Sequence, residues 1–193
     1  MFKGLVVILM SSVLVNNYVL SKFLGICPFL GVSKKLDQAT GMGLSVIFVM
    51  LISTAVTYPI QKFVLDRLGL GYLQTIVFIL VIAALVQFIE IVLKKFIPSL
   101  HKSLGIYLPL ITTNCCVLGA AELNSKFDRG ILASTVFGLC SGVGFALAVV
   151  LFASIRERLA IAKIPRPFQG AAIALITAGI LAMAFMGFSG LVR

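Results

Sequence analysis

Charged side chains are scarce in this chain and make up 11% of its 193 residues. A water-soluble domain usually has about a quarter of its residues charged, so much of this surface must face lipid. Six mostly apolar runs, each near the roughly 20 residues that cross a bilayer, occupy 5–30, 40–60, 72–93, 104–123, 131–155 and 170–190. The short connections leave no room for a soluble nucleotide-binding or catalytic domain. The sequence therefore predicts an all-α integral membrane protein of six transmembrane helices, with 1–193 as a single membrane domain.

Ligands for a common structural zinc site are also lacking. The chain has one histidine, His101 in a connection, and its four cysteines include no C-x-x-C pair. Structural zinc sites use four cysteine or histidine ligands, usually at short spacings. We do not expect a site of that kind.

Acidic residues are few, six against sixteen lysines and arginines, which gives a net charge of +10. The basic residues alternate between the connections and do not form one patch, so we expect no nucleic acid as a partner. Nine lie on one side: Lys34, Lys35, Lys94, Lys95, Lys102, Arg156, Arg158, Lys163 and Arg166. Six lie on the other: Lys3, Lys62, Arg67, Lys126, Arg129 and Arg193. The positive-inside bias predicts that the first side is cytoplasmic and that both termini are external.

A short internal echo divides the chain into two halves. Residues 27–31 (CPFLG) return as 115–119 (CCVLG), and a weaker match links 74–85 to 169–180. The matches predict one repeat over about 1–95 and a second over about 98–193. Three spans in each half reverse the direction of the second half, which gives an inverted 3+3 repeat.

Both copies of the echo lie where an apolar run contains residues that disfavour a helix. Gly25 and Pro28 weaken the first span, and Pro109 interrupts the fourth ahead of Asn114. We therefore predict that the first and fourth helices are broken, with both breaks facing inward, because irregular backbone at membrane depth must be buried or line a cavity. The alternative is a pair of simply kinked helices.

Cys27 and Cys115 are the candidate ligands because they occupy matching breaks. Thiolates suit zinc, copper or an iron–sulfur cluster. Since a 2Fe–2S cluster usually has four cysteine ligands, a second chain would have to donate two. The alternatives are that both cysteines pack as small apolar residues, or that they form a disulfide. Cys140, in an unbroken span, is interpreted as a packing residue.

Four polar residues in these spans are candidates for an ion path or for tuning a redox group. Lys22 precedes Cys27 by five positions, where it would raise a nearby cluster's potential, extend to the interface or pair with another protein of a complex. Asn16, Asn17 and Asn114 would ligate an ion or stabilise helix contacts.

Several segments resemble the A-type subunits of the Rnf/Rsx ion-translocating oxidoreductases. They are 13–17 (VLVNN), 22–29 (KFLGICPF), 31–35 (GVSKK), 108–115 (LPLITTNC), 152–159 (FASIRERL) and 170–192. The resemblance runs from the first span to the C-terminus. The D-type and E-type subunits of the sodium-translocating NADH:quinone reductase are related, but 112–115 (TTNC) and 185–192 (FMGFSGLV) look more like Rnf/Rsx.

The resemblance implies a component of a ferredoxin:NAD oxidoreductase complex in a prokaryotic cytoplasmic membrane, without a complete active site of its own. A homologous E-type subunit of opposite topology would be its partner, alongside the B-, C-, D- and G-type subunits. The two homologues would share one intramembrane 2Fe–2S cluster, with Cys27 and Cys115 as the ligands from this chain. No flavin or nucleotide is expected here. Cys116 departs from the commoner family pattern, and its role is left open.

The resulting hypothesis is a membrane protein that couples electron transfer to Na⁺ or H⁺ translocation within a larger complex. The principal alternative is a secondary transporter of inverted-repeat type, in which the cysteines are incidental. A structural scaffold for the electron-transfer chain is the third.

Overall fold

The computed structural model describes residues 13, 17–33, 35–69, 71–96, 108–126, 130–162, 165 and 168–190. Most residues in these ranges are helical, and none of them lies in a strand. The helices are α1 Ile26–Val32, α2 Leu36–Ile60, α3 Gln74–Phe96, α4 Leu108–Thr112, α5 Cys115–Ser125, α6 Gly130–Ile161 and α7 Ala171–Met186. Helix α2 continues into a π-helical turn at Gln61–Leu65 and a short turn at Asp66–Leu68. Short 3₁₀ segments at Gly71–Leu73 and Gly187–Gly190 precede α3 and follow α7.

Within the described ranges, three continuous helical segments are long and apolar enough to cross a membrane: Leu36–Leu65, Gly71–Ile91 and Gly130–Ile161. Helix α7 is apolar but shorter, at 16 residues. The fourth predicted span is divided between α4 and α5, so neither piece reaches the required length. The prediction of an all-helical membrane protein is confirmed, whereas the inverted repeat of six spans stays a prediction.

Helices α2 and α6 make the most extensive helix contact in the described chain. They run antiparallel, since positions rising along α2 meet positions falling along α6: Gly43 meets Ala146, Ile47 meets Gly142, and Thr54 meets Gly138. A Cβ added to Gly142 would lie 2.8 Å from the Ile47 Cα, which is too close for a real side chain. Small residues therefore let the two backbones approach as they do in tightly packed membrane helices.

Helix α1 packs its aromatic side chain against this pair. Phe29 is buried and stacks on Phe152 of α6, with ring centroids 4.1 Å apart. Offset stacked aromatic pairs contribute about 0.5–1.5 kcal/mol beyond the area that they bury. The stack holds α1, which carries Cys27, against the α2–α6 pair.

Large apolar side chains are exposed on α3 and α7. They include Ile76, Leu80, Phe88 and Ile91 on α3, and Leu175, Ile180, Met183 and Met186 on α7. Lipid is as apolar as these side chains, so their exposure has no cost within a bilayer. These two helices therefore lie at the periphery, while α2 and α6 occupy the centre.

Candidate functional site

The first break covers the residues that precede α1. Phe23 and Gly25 both have positive φ, at 55° and 84°, and this left-handed backbone lies immediately before the start of α1. Pro28 is the third residue of α1, where its missing N–H has no intrahelical acceptor to lose. The left-handed backbone thus lies at Phe23 and Gly25, while Pro28 lies within the first turn of α1. A broken first helix stays a prediction, since most of the residues that would form its first half lie outside the described ranges.

Asn17 attaches this break by hydrogen bonds to α6, at the centre of the bundle. Its Nδ2 donates to the carbonyl oxygens of Gly144, at 2.7 Å, and Val13, at 3.3 Å, and its Oδ1 accepts from the Val19 N–H at 3.1 Å. The side chain is completely buried, and both ends of its amide are bonded. Of the two roles predicted for Asn17, these bonds support the stabilisation of a helix contact.

The second break lies between α4 and α5, at Thr113 and Asn114. Asn114 has an extended backbone and caps α5, because its Oδ1 accepts from the Cys116 N–H at 3.0 Å. An asparagine cap of this kind contributes about 0.5–2 kcal/mol to a helix. The fourth span is therefore interrupted, but at Thr113 and Asn114 and not at Pro109 as predicted, because Pro109 lies in the first turn of α4, where a proline is tolerated. The break places Cys115 in the first turn of α5.

The two breaks are in direct contact. The Gly25 N–H donates to the Sγ of Cys115 at 2.8 Å, although the two residues are 90 positions apart. Only glycine fits here, since a Cβ on residue 25 would lie 2.9 Å from the Phe145 ring and 3.1 Å from both the Asn114 Oδ1 and the Cys116 Cβ. The close approach lets a backbone amide reach the thiol directly.

The four cysteines differ in exposure. Cys27 is exposed, Cys115 is half-buried, and Cys116 and Cys140 are buried. All four are free thiols, so no disulfide joins Cys27 to Cys115. The prediction that both breaks face inward holds for Gly25 and Asn114, which are buried, but the side chain of Cys27 lies on the surface of this chain.

Cys115 and Asn114 line a cavity of about 270 Å³ between α3 and the second break. Its other lining residues are Ile79, Ile82, Ala83, Thr112, Thr113 and Leu118. Asn114 is 3% exposed, and its Nδ2 has no hydrogen-bond acceptor in the described part of the chain. A buried donor left unpaired costs about 1–3 kcal/mol.

Two predicted site residues remain, Lys22 and Asn16. Lys22 is exposed beside the first break. Asn16 lies outside the described residues.

Arg156, one of the nine basic residues on the predicted cytoplasmic side, also has a structural role that the sequence did not indicate. From the C-terminal part of α6, its Nη1 donates to the Leu30 carbonyl oxygen at 2.8 Å and the Ser33 Oγ at 2.7 Å. Its guanidinium also lies 5.7 Å from the centroid of the Phe152 ring. A cation at the C-terminus of a helix satisfies free carbonyls and the helix dipole, so Arg156 anchors α1 at the end opposite Gly25.

We expect Arg156→Ala to destabilise the chain by about 1.5–3 kcal/mol, the range for hydrogen bonds that involve a charged group. Thermal unfolding in detergent should show a lower melting temperature, with partial recovery in Arg156→Lys. Arg158→Ala is the matched control because Arg158 is exposed two residues further on. Equal melting temperatures for Arg156→Ala and Arg158→Ala would contradict the anchoring role.

Comparison with known protein families shows which family contains a chain of this sequence. A family model described as "Rnf-Nqr subunit, membrane protein" matches residues 5–192. The chain belongs to the Rnf-Nqr family. The resemblance found in the sequence is thereby confirmed over nearly the whole chain.

Curated relatives of this Rnf-Nqr chain carry closely similar names. The A-type subunit of the "Ion-translocating oxidoreductase complex" of Thioalkalivibrio sulfidiphilus is 59% identical over 186 residues, which cover 96% of this chain and 97% of the relative. That of Edwardsiella ictaluri is 57% identical over 186 residues, covering 96% of each chain. The A-type subunit of the "Na(+)-translocating ferredoxin:NAD(+) oxidoreductase complex" of Acetobacterium woodii is 55% identical over 187 residues, covering 97% of each. These relatives are components of enzyme complexes, and none of these names supports the secondary-transporter alternative.

Proposed function

We propose that this chain is the A-type membrane subunit of an ion-translocating oxidoreductase complex of the ferredoxin:NAD type. In this proposal, Cys27 and Cys115 provide half the ligands of a 2Fe–2S cluster shared with a homologous E-type subunit of opposite topology. The chain would help to couple electron transfer to Na⁺ or H⁺ translocation, with the B-, C-, D- and G-type subunits as further partners. The observation that carries the proposal is the Gly25–Cys115 contact, which joins two cysteine-bearing breaks in one small region.

The donor set of this region suits such a cluster. Thiolate sulfurs are the usual ligands of iron–sulfur clusters, and both candidate thiols are free and at least partly accessible. In the described ranges, no three His, Cys, Asp or Glu side chains gather into one metal-binding group. Two thiols are too few for a 2Fe–2S cluster, and the exposure of Cys27 leaves that thiol open to a second chain. When bound, the cluster would supply one-electron transfer at membrane depth.

The surroundings of the thiols favour Cys115 over Cys116 as the second ligand. Cys115 accepts the Gly25 N–H and lines the cavity beside the second break. Cys116 is completely buried among apolar side chains of the core, and its backbone N–H is bonded to Asn114. Adjacent residues on a helix point about 100° apart, so a cluster on the Cys115 side lies away from Cys116.

Two cavities support the inverted repeat that we propose for the fold. One, of about 270 Å³, lies between α3 and the second break, and the other, of about 120 Å³, lies between α7 and the first break. Leu118 and Ala83 line the first, while Leu30 and Ala178 line the second. These residues correspond under the internal matches of the sequence. Equivalent positions in the two halves thus have equivalent surroundings.

The ends of the α2–α6 pair support the proposed orientation. Arg156 bonds Ser33, which brings the basic residues at the end of α6 to the connection that contains Lys35. At the other end, the Gly130 N–H donates to the Tyr58 hydroxyl at 3.1 Å. The densest basic clusters therefore share one end, which we propose is cytoplasmic, with both termini external.

Iron analysis of the purified pair tests the proposal. We expect about two iron atoms and two acid-labile sulfides per heterodimer when this chain is co-expressed with its homologous partner. The same chain expressed alone should hold almost none, because it supplies only two thiols. An assembled heterodimer without iron, or a full complement of iron in this chain alone, would contradict the shared site.

A further inference from the structure

The orientation of the Asn114 amide is fixed by its role as a helix cap. Because Oδ1 accepts the Cys116 N–H at 3.0 Å, Nδ2 must be the free end of the amide. That nitrogen is buried, since Asn114 is only 3% exposed, and it has no acceptor in the described chain. Native proteins rarely leave a buried donor unpaired, so such a group calls for an acceptor from outside the described residues.

The acceptor has a restricted location and chemistry. Asn114 immediately precedes Cys115, and both line the cavity whose remaining walls are mostly apolar. The cavity lies beside the first turn of α5, where backbone N–H groups and the helix dipole favour negative charge. The neighbouring Cys115 Sγ already accepts one N–H, from Gly25. An anionic group that accepts hydrogen bonds and is bound through Cys115 fits these conditions.

We propose that the Asn114 Nδ2 donates to a sulfur of the cluster bound at Cys115 and thereby raises its reduction potential. This inference rests on the proposed function. Hydrogen bonds to cluster sulfurs are among the factors that set these potentials. The donor N–H stabilises the more negative, reduced form more than the oxidised form, so its loss lowers the potential. Asn114 is a positioning and tuning residue, and Cys115 remains the ligand.

Two substitutions separate the donor from the cap. Asn114→Ser retains a side-chain oxygen that caps α5 but removes the longer amide donor without adding charge. Asn114→Asp retains the cap and the side-chain size but removes the donor and adds a negative charge. Asn124→Asp is the matched control, since Asn124 is a second buried asparagine on α5 and lies ten residues, or about 15 Å, along the same helix.

The experiment is a redox titration of the co-purified heterodimer, followed by the paramagnetic signal of the reduced cluster. We expect both Asn114 variants to lower the reduction potential of the cluster by at least about 59 mV, which is a tenfold shift toward the oxidised form for one electron. The potential of Asn114→Asp should fall further. Asn124→Asp should remain close to the wild-type protein.

The possible outcomes distinguish this inference from the proposal on which it rests. A wild-type heterodimer without a cluster would overturn both. A cluster that is present in every variant, with the Asn114→Ser potential equal to wild type, would overturn the tuning role alone. Loss of the cluster from both Asn114 variants in the assembled heterodimer would also overturn the tuning role, because Asn114 would then be needed to hold the cluster.

Discussion

Replacing Cys115 with serine should remove nearly all the cluster iron from the heterodimer. A serine hydroxyl is a harder and less acidic ligand than a thiol, so it binds iron poorly in a site built for thiolates. The fold should be little affected, since Cys115 is half-buried and a hydroxyl oxygen can still accept the Gly25 N–H. Iron and acid-labile sulfide should fall at least tenfold, together with the paramagnetic signal. Cys27→Ser should give the same loss.

The matched controls for this substitution are Cys116→Ala and Cys140→Ala. Both residues are buried, and Cys116 directly follows Cys115. Alanine removes the sulfur without burying a new hydroxyl, so the core remains apolar. Iron content should stay near wild type in both controls. Retention of the cluster in Cys115→Ser combined with its loss in Cys116→Ala would reverse the assignment of the ligand.

Substitution of Gly25 by alanine should have the largest effect on the fold. The left-handed backbone at φ 84° costs a residue with a Cβ about 1–2 kcal/mol. The new Cβ would also lie 2.9 Å from the Phe145 ring, and overpacking of this kind typically costs about 1–3 kcal/mol. The combined loss is about 2–5 kcal/mol of stability. We expect a markedly lower melting temperature in detergent and a loss of iron, because the Gly25 N–H is displaced from Cys115.

Gly31→Ala is the control for this substitution. Gly31 lies in α1, the helix that Gly25 precedes, but a Cβ there would meet nothing within 4 Å, and its φ is not positive. Alanine is favoured over glycine inside a helix by about 0.5–1 kcal/mol, so this variant should be as stable as wild type or slightly more so. If Gly25→Ala were as stable as Gly31→Ala and kept its iron, the close contact between the two breaks would not be required.

The sequence predicted the two breaks and the cysteines in them because backbone chemistry is local. Gly25 and Asn114 disfavour a continuous helix wherever they stand, and matching positions in the two halves draw attention to Cys27 and Cys115. The part played by Pro28 was predicted less well. Proline interrupts a helix interior but is tolerated in a first turn, and the sequence does not say where the turn begins.

Contacts between distant segments could not be predicted from the sequence. Arg156 anchors Leu30 across 126 positions, and Asn17 bonds Gly144 across 127. A basic residue at the end of an apolar run serves as a topology signal whether or not it also caps another helix. The choice between Cys115 and Cys116 likewise depends on which thiol faces Gly25, a relation that only the packed helices establish.

The close packing of α2 against α6 limits how this protein is able to move. Because a Cβ at Gly142 would lie 2.8 Å from the Ile47 Cα, a shift in register that brought a residue larger than glycine to this point would produce a clash between the two helices. The central pair would therefore act as a rigid frame, to which Asn17 and the Phe29–Phe152 stack attach the first break and α1.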